Sequence, residues 1–303
     1  MEPRNILVAI RREPEAARVL AKVARLVTPG CRVHVLRVLH DSRAELRGVE
    51  VDERWAHRTV LMQAEQEALE ALIDPWRARM PGVAGLVVWH KRFHRGVLDV
   101  ARELGADLIV KQAETTSRIA EVVRTPDDWH LLREAACAVL LVKAGLWIEQ
   151  PTVLAAVDAL DDAHRMLSGQ VLAVAAALAC QLGGALELAS AYPTLQSWPG
   201  DLGTAYDYGR LRNAMVADMD ARQRALLGPL VADTRRHVLE GEPAVVLERL
   251  ADERAAEIVV LGTAARRGVP ALMLGNTAEA LLHRCHRDVL AVRDPKCAVP
   301  SRA

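Results

Sequence analysis

Short apolar runs of four to six residues alternate along this chain with longer segments whose apolar positions recur at helical spacing. In the first half, NILVAI, RVHVLRV, AGLVVW, DLIVK and AVLLVK predict strands near 5–10, 32–38, 84–89, 107–111 and 138–143. Helices are expected between them near 13–27, 53–79, 96–104 and 127–135. The second half repeats the order, with strands near 152–157, 185–191, 234–239, 257–261 and 288–293. Strands that are apolar on both faces and joined by helices predict a parallel sheet covered on both sides, with right-handed crossovers. Ligands on such sheets sit at the carboxyl ends of the strands, beside the point where the strand order reverses.

The two halves are copies. ADLIV at 106–110 recurs as AEIVV at 256–260, so Asp107 and Glu257 stand 150 residues apart. AVLLVK at 138–143 recurs as DVLAVR at 288–293 with the same offset, and ILVAIR at 6–11 matches VLAAVD at 153–158 with an offset of 147. This period is too long for a solenoid and fits a duplicated domain. The expected domains are 1–147 and 148–303, with the boundary near Gly145 to Pro151.

Composition narrows the class. A chain of 303 residues accommodates two domains, each large enough to bury its own core. Lysine plus arginine equals aspartate plus glutamate, 39 of each, so no overall field favours nucleic acid or an anionic membrane. The opening MEPRNILVAIRR lacks a leader pattern and no membrane-crossing segment is expected, which points to the cytoplasm. Five cysteines without a C-x-x-C pair read as buried or spare thiols.

The second half resembles a universal stress protein domain over nearly its full length. Its first strand ends in VLAAVD, with Asp158 where that family places an aspartate beside bound nucleotide. LGTAARRGVPALMLGNTAEALLHR resembles the family signature G-x2-G-x9-G-[ST]: Gly262 and Gly275 match, Ala265 stands for the second glycine, and Asn276 for the Ser or Thr, with Thr277 following. GNTAE at 275–279 and TPDDWHLLR at 125–133 are more similar to the tandem, E-type subgroup than to single-domain members. The resemblance implies two tandem α/β domains of HUP or Rossmann-like type, each a five-stranded parallel sheet with helices on both faces. It also implies ATP or ADP, with Mg²⁺, at a site built from Asp158, Ala191, Gly262, Ala265, Arg266, Arg267, Gly275, Asn276 and Thr277.

The chemistry of that loop has two readings. A helix starting at Asn276 offers free backbone N–H groups and the positive end of its dipole to a phosphate; Gly275 lets backbone approach, and Arg266 or Arg267 adds charge. Alternatively, Asn276 is an N-cap with Glu279 as its capping-box partner, and no ligand is involved. In the first half the equivalents are Thr125, Pro126, Asp127 and Asp128, a helix start that neutralises itself and repels phosphate. Arg11 replaces the strand-end aspartate and Gln112 replaces Gly262. The first domain is therefore not expected to bind ATP in the family manner.

Other signals read as structural. His90, His94, His283 and His286 show no recognised metal-ligand spacing and are taken as surface residues, so no metal site is expected. The basic stretch VVWHKRFHRG at 87–96 reads as a solvated strand-to-helix loop, and Cys285 as a core thiol. In SAYPTLQSWPGDLGTAYDYG at 190–209, Tyr192, Trp198, Tyr206 and Tyr208 either flank an adenine or apolar ligand or seal the loop onto the domain.

These readings point to a non-enzymatic stress-response protein with no catalytic residues, in which ATP or ADP in the C-terminal domain acts as a regulatory ligand for an unknown protein partner. A scaffold or carrier for an apolar small molecule with a spent nucleotide site, and a slow ATPase, are the alternatives. No nucleotidyl-transferase H-x-G-H, pyrophosphatase S-G-G-x-D-S or Walker A sequence is present. Pairing of the two last strands as an intrachain pseudo-dimer, and a possible homodimer, are expected from the resemblance.

Overall fold

The computed structural model describes residues 3–42, 51–114, 127–143, 145–194, 208–227, 234–263 and 276–293. It divides into two compact units, residues 2–146 and residues 147–303.

The first unit runs β1 (Asn5–Ala9), α1 (Glu13–Val23), β2 (Arg32–Leu39), α2 (Val51–Ile73), β3 (Val83–Trp89), α3 (Phe93–Glu103), β4 (Leu108–Gln112), α4 (Asp127–Glu134) and β5 (Ala138–Val142). Its strands lie in the order β3-β2-β1-β4-β5, and each neighbouring pair is parallel. The five expected strands are all there. Ile6, Leu7, Val8, Ile109 and Val110 are fully buried, as strands covered on both faces require. Glu13 and Glu15 stand in the first turn of α1 with a proline beside them, and Lys22 in the last, so charge and fixed φ both favour a helix there.

The second unit repeats the plan with β6 (Thr152–Ala156), α5 (Arg165–Leu182), β7 (Ala185–Tyr192), α6 (Tyr208–Leu227), β8 (Arg235–Glu240), α7 (Pro243–Glu253), β9 (Ala256–Thr263), α8 (Asn276–Arg284) and β10 (Asp288–Arg293). The strand order β8-β7-β6-β9-β10 is that of the first unit, again all parallel. In each unit the order reverses between the first and fourth strands, which pair directly: Ala9 with Lys111, and Ala156 with Leu261. Trp147 belongs to the second unit, where its buried indole N–H donates to Asp288 at 2.8 Å.

Helix α5 carries an uncharged stretch of a length that the sequence reading did not expect anywhere in the chain. Residues 166–186 carry no charged side chain, and Asp162–Leu182 is long and apolar enough to cross a membrane by length and composition. Here Leu167, Val171, Leu172, Ala175, Leu178, Ala179 and Leu182 are buried, and α5 packs on β6, β7, β9 and β10. Its apolar character serves the core of the second unit. The helix stops at Gly183, whose φ of +64° is the left-handed C-cap, and Gly184 donates back to the Ala179 carbonyl at 2.8 Å.

Candidate functional site

In the first unit the carboxyl ends of β1 and β4 are filled by charged side chains. Arg11, two residues past β1, donates to Asp127 at 2.6 Å and to Glu114 at 2.8 Å. Lys111 of β4 is almost fully buried and donates to Asp128 at 2.6 Å and to the Gln112 carbonyl at 2.9 Å. Asp128 also accepts from the backbone N–H of Glu114 at 2.7 Å. Phe93, the single phenylalanine, lies under both cations, 5.3 Å from Arg11 and 5.8 Å from Lys111.

The acidic start of α4 thus does more than neutralise its own helix terminus. Asp127 and Asp128 reach across the switch point and hold the cations that stand at the strand ends. Thr125 and Pro126 lie outside the described residues.

His94 is a correction. Helix α3 begins at Phe93, three residues earlier than the periodicity predicts, so the loop after β3 is short and His94 falls on the first helical turn, 6% exposed. Its Nδ1 lies 2.7 Å from Asp127 Oδ1, and its ring stacks on His130 at 4.0 Å. The surface reading fails for this histidine; it holds for His286, which is exposed. Burial pushes the Asp127 carboxyl up, but the hydrogen bond from His94 and the charges of Arg11 and Lys111 outweigh it and hold the group below its ordinary value. A carboxyl lowered by folding adds stability above its unfolded value of 3.8 and loses it as pH falls through the folded value. The urea midpoint of the first unit is therefore expected to fall on acidification below about pH 4, and Asp127→Asn to flatten that fall while lowering the neutral-pH plateau.

The second unit has no such plug among its described residues. The positions matching Arg11, Lys111, Asp127 and Asp128 hold Asp158, Leu261, Thr277 and Ala278. Asp158, Ala191 and Gly262 stand at the carboxyl ends of three neighbouring strands, in the order β7-β6-β9. Asp158 accepts from the backbone N–H groups of Leu160 at 2.9 Å and Asp161 at 3.2 Å, and its second oxygen lies 2.8 Å from His164 Nδ1. Its side chain is 43% exposed beside a cleft that Asp161, Asp162, Arg165 and Arg222 also line. Gly262 has a packing reason to be glycine: a Cβ there would stand 2.6 Å from the Leu167 side chain of α5. Thr277 is exposed in the first turn of α8, and Asn276 begins that helix. Ala265, Arg266, Arg267 and Gly275 lie outside the described residues.

Of the loop aromatics, Tyr192 seals. It is 1% exposed, packs with Ala159 and Met219, and its hydroxyl lies 3.3 Å from Glu240. Trp198 and Tyr206 fall outside the described residues. Cys285 is buried, as expected of a core thiol.

A duplicated, doubly wound α/β protein with one switch point filled by ion pairs and the other, among the described residues, bordered by Asp158, Gly262, Thr277 and Ala278 is the class that the fold and the sites define. The chain belongs to the universal stress protein family, whose sequence profile matches residues 2–143 and again residues 151–293. It is 26% identical over 310 residues to the universal stress protein E homolog of Haemophilus influenzae, covering 98% of this chain and 99% of that one. It is 31% identical over 218 residues to universal stress protein E of Escherichia coli, 71% of this chain and 69% of that one. Among solved structures, a functionally unknown protein from Pseudomonas aeruginosa superimposes with a TM-score of 0.70 at 25% identity, covering 98% of this chain and 94% of that chain. A universal stress protein from Archaeoglobus fulgidus does so with a TM-score of 0.63 at 12% identity, covering 97% of each, and shows the fold alone.

Proposed function

We propose that this protein is a non-enzymatic stress-response protein that takes ATP or ADP, with Mg²⁺, at the switch point of its second domain, and that the nucleotide sets the surface offered to a protein partner. The observation that carries the reading is the asymmetry of the two switch points. Arg11, Lys111, Glu114, Asp127 and Asp128 saturate one another in the first domain, whereas Asp158, Gly262, Thr277 and Ala278 occupy the corresponding region of the second. Asp158, Asp161 and Asp162 line the cleft there together with Arg165 and Arg222, and the phosphate is assigned instead to the α8 start, where N–H groups and the helix dipole favour anions. Arg266, Arg267 and Gly275 belong to that end of the proposal.

A second reading has its own support. Leu167 accounts for Gly262, and Asp158 spends its carboxylate on two backbone N–H groups and His164. A spent site on a scaffold or carrier would look like this as well. Native mass spectrometry with Mg·ATP separates the two. One nucleotide per chain, lost in Gly275→Asp, is the expected result; no uptake at millimolar ATP contradicts it and favours the carrier, more so if an apolar mass co-purifies. The same spectra show whether the chain forms a homodimer.

A further inference from the structure

We propose that His94, His130 and Glu134 of the first domain form a binding site for one late first-row divalent metal ion, with Zn²⁺ the first candidate. One ligand-capable atom from each of these three side chains lies within 4.8 Å of the other two. His130 and Glu134 are one turn apart on α4, four residues in sequence, so they share a face, and α3 brings in His94 from the neighbouring helix. Two imidazoles and a carboxylate are a donor set that suits zinc, and three protein ligands leave a position for water.

The surroundings are built as those of a metal-binding histidine are. His94 is buried, and Asp127 Oδ1 stands 2.7 Å from its Nδ1. That contact makes Nδ1 the protonated nitrogen and leaves Nε2 with its lone pair, the carboxylate–histidine arrangement that orients a metal-binding imidazole. Asp127 is itself held by Arg11 at 2.6 Å, so the supporting group is fixed in turn. Charge also permits a cation. Around the two histidines, Arg11, Arg95 and Lys111 face four carboxylates, Glu114, Asp127, Asp128 and Glu134, leaving one negative charge uncompensated while the imidazoles are neutral.

Two groups have to move. The His94 and His130 rings are nearly parallel, at 13°, whereas a metal must lie close to the plane of each ring that binds it. His130 is the one that turns, with its side chain 32% exposed against 8% for His94, and in turning it exchanges its Nδ1 contact with Glu134 Oε1 at 3.2 Å for the shared metal. Glu134 now pairs with Arg95 at 2.8 Å; that arginine is half-exposed and can pass to water. Neither movement disturbs the His94–Asp127 pair. This inference is independent of whether the second domain binds nucleotide.

The test is titration of the chelator-stripped full-length protein with Co²⁺, followed by its visible d–d absorption, and then displacement by Zn²⁺. A band that saturates at one Co²⁺ per chain and is abolished by stoichiometric Zn²⁺ is expected. His130→Gln and Glu134→Gln should each abolish the saturable band, Asp127→Asn should weaken binding by about 10–100-fold, and His164→Gln in the second domain should leave it unchanged. His130 is partly exposed, so His130→Gln should keep the far-UV circular dichroism and metal-free melting curve of the parent, which makes it the deciding variant if His94→Gln does not fold. No saturable band in the parent at millimolar Co²⁺, or an unchanged affinity in folded His130→Gln, overturns the proposal.

Discussion

Replacing Lys111 by Met should lower the stability of the first domain by about 3–5 kcal/mol, the usual cost of removing one partner from a buried ion pair. The lysine side chain is only 3% exposed and its ammonium stands 2.6 Å from Asp128, which is itself nearly buried. Methionine fills the aliphatic volume but leaves the Asp128 carboxylate with the Glu114 N–H alone. Adding Asp128→Asn should recover part of the loss, because the uncompensated charge is gone while an oxygen still accepts from that N–H. Urea unfolding followed by tryptophan fluorescence checks this, since Trp55, Trp76, Trp89 and Trp129 all lie in the first domain. A single variant within about 1 kcal/mol of the parent would mean that the plug is cosmetic.

Glu187→Ala should cost the second domain a similar amount, about 3–5 kcal/mol. This carboxylate lies near the start of β7 and its side chain is 7% exposed. Arg254 approaches it with Nη2 at 2.8 Å and Nε at 3.0 Å, and His237 of β8 stands 2.7 Å away. Removing it strands a half-buried guanidinium and a histidine at the end of the sheet opposite Asp158. Nucleotide uptake per folded chain should be unaffected, so stability and binding separate in this variant. Thermal unfolding read by hydrogen exchange in β7 and β8 measures the first effect, and native mass spectrometry the second.

The architecture was legible because period and repeat are local signals. Apolar runs such as ILVA and LIVK, and the offset of 147 to 150 residues between halves, place all ten strands, and the structure shifts their ends by two residues at most. What was not legible depends on groups far apart in sequence. Arg11, Lys111 and Asp127 meet only because the strand order puts β1 beside β4, a contact that no window of residues contains. One trace existed: across the repeat, Arg11, Lys111, Asp127 and Asp128 change together to Asp158, Leu261, Thr277 and Ala278, so both signs of charge vanish or reverse at once. His94 was misplaced for a local reason. Helix α3 has Arg92 at its N-cap with no side-chain cap bond, so no Ser, Thr, Asp or Asn marks where it starts. Gly262 reads as a phosphate-loop residue in sequence, whereas its contact with Leu167 is visible only once α5 is packed on the sheet.

Hydrogen–deuterium exchange of the full chain with and without Mg·ATP tests the division of labour between the two domains most directly. Slower exchange confined to the end of β6, the end of β9 and the start of α8, with the segments around Arg11, Lys111 and α4 unchanged, is the predicted result. Protection around α4 of the first domain, or none anywhere at millimolar ATP, would contradict it.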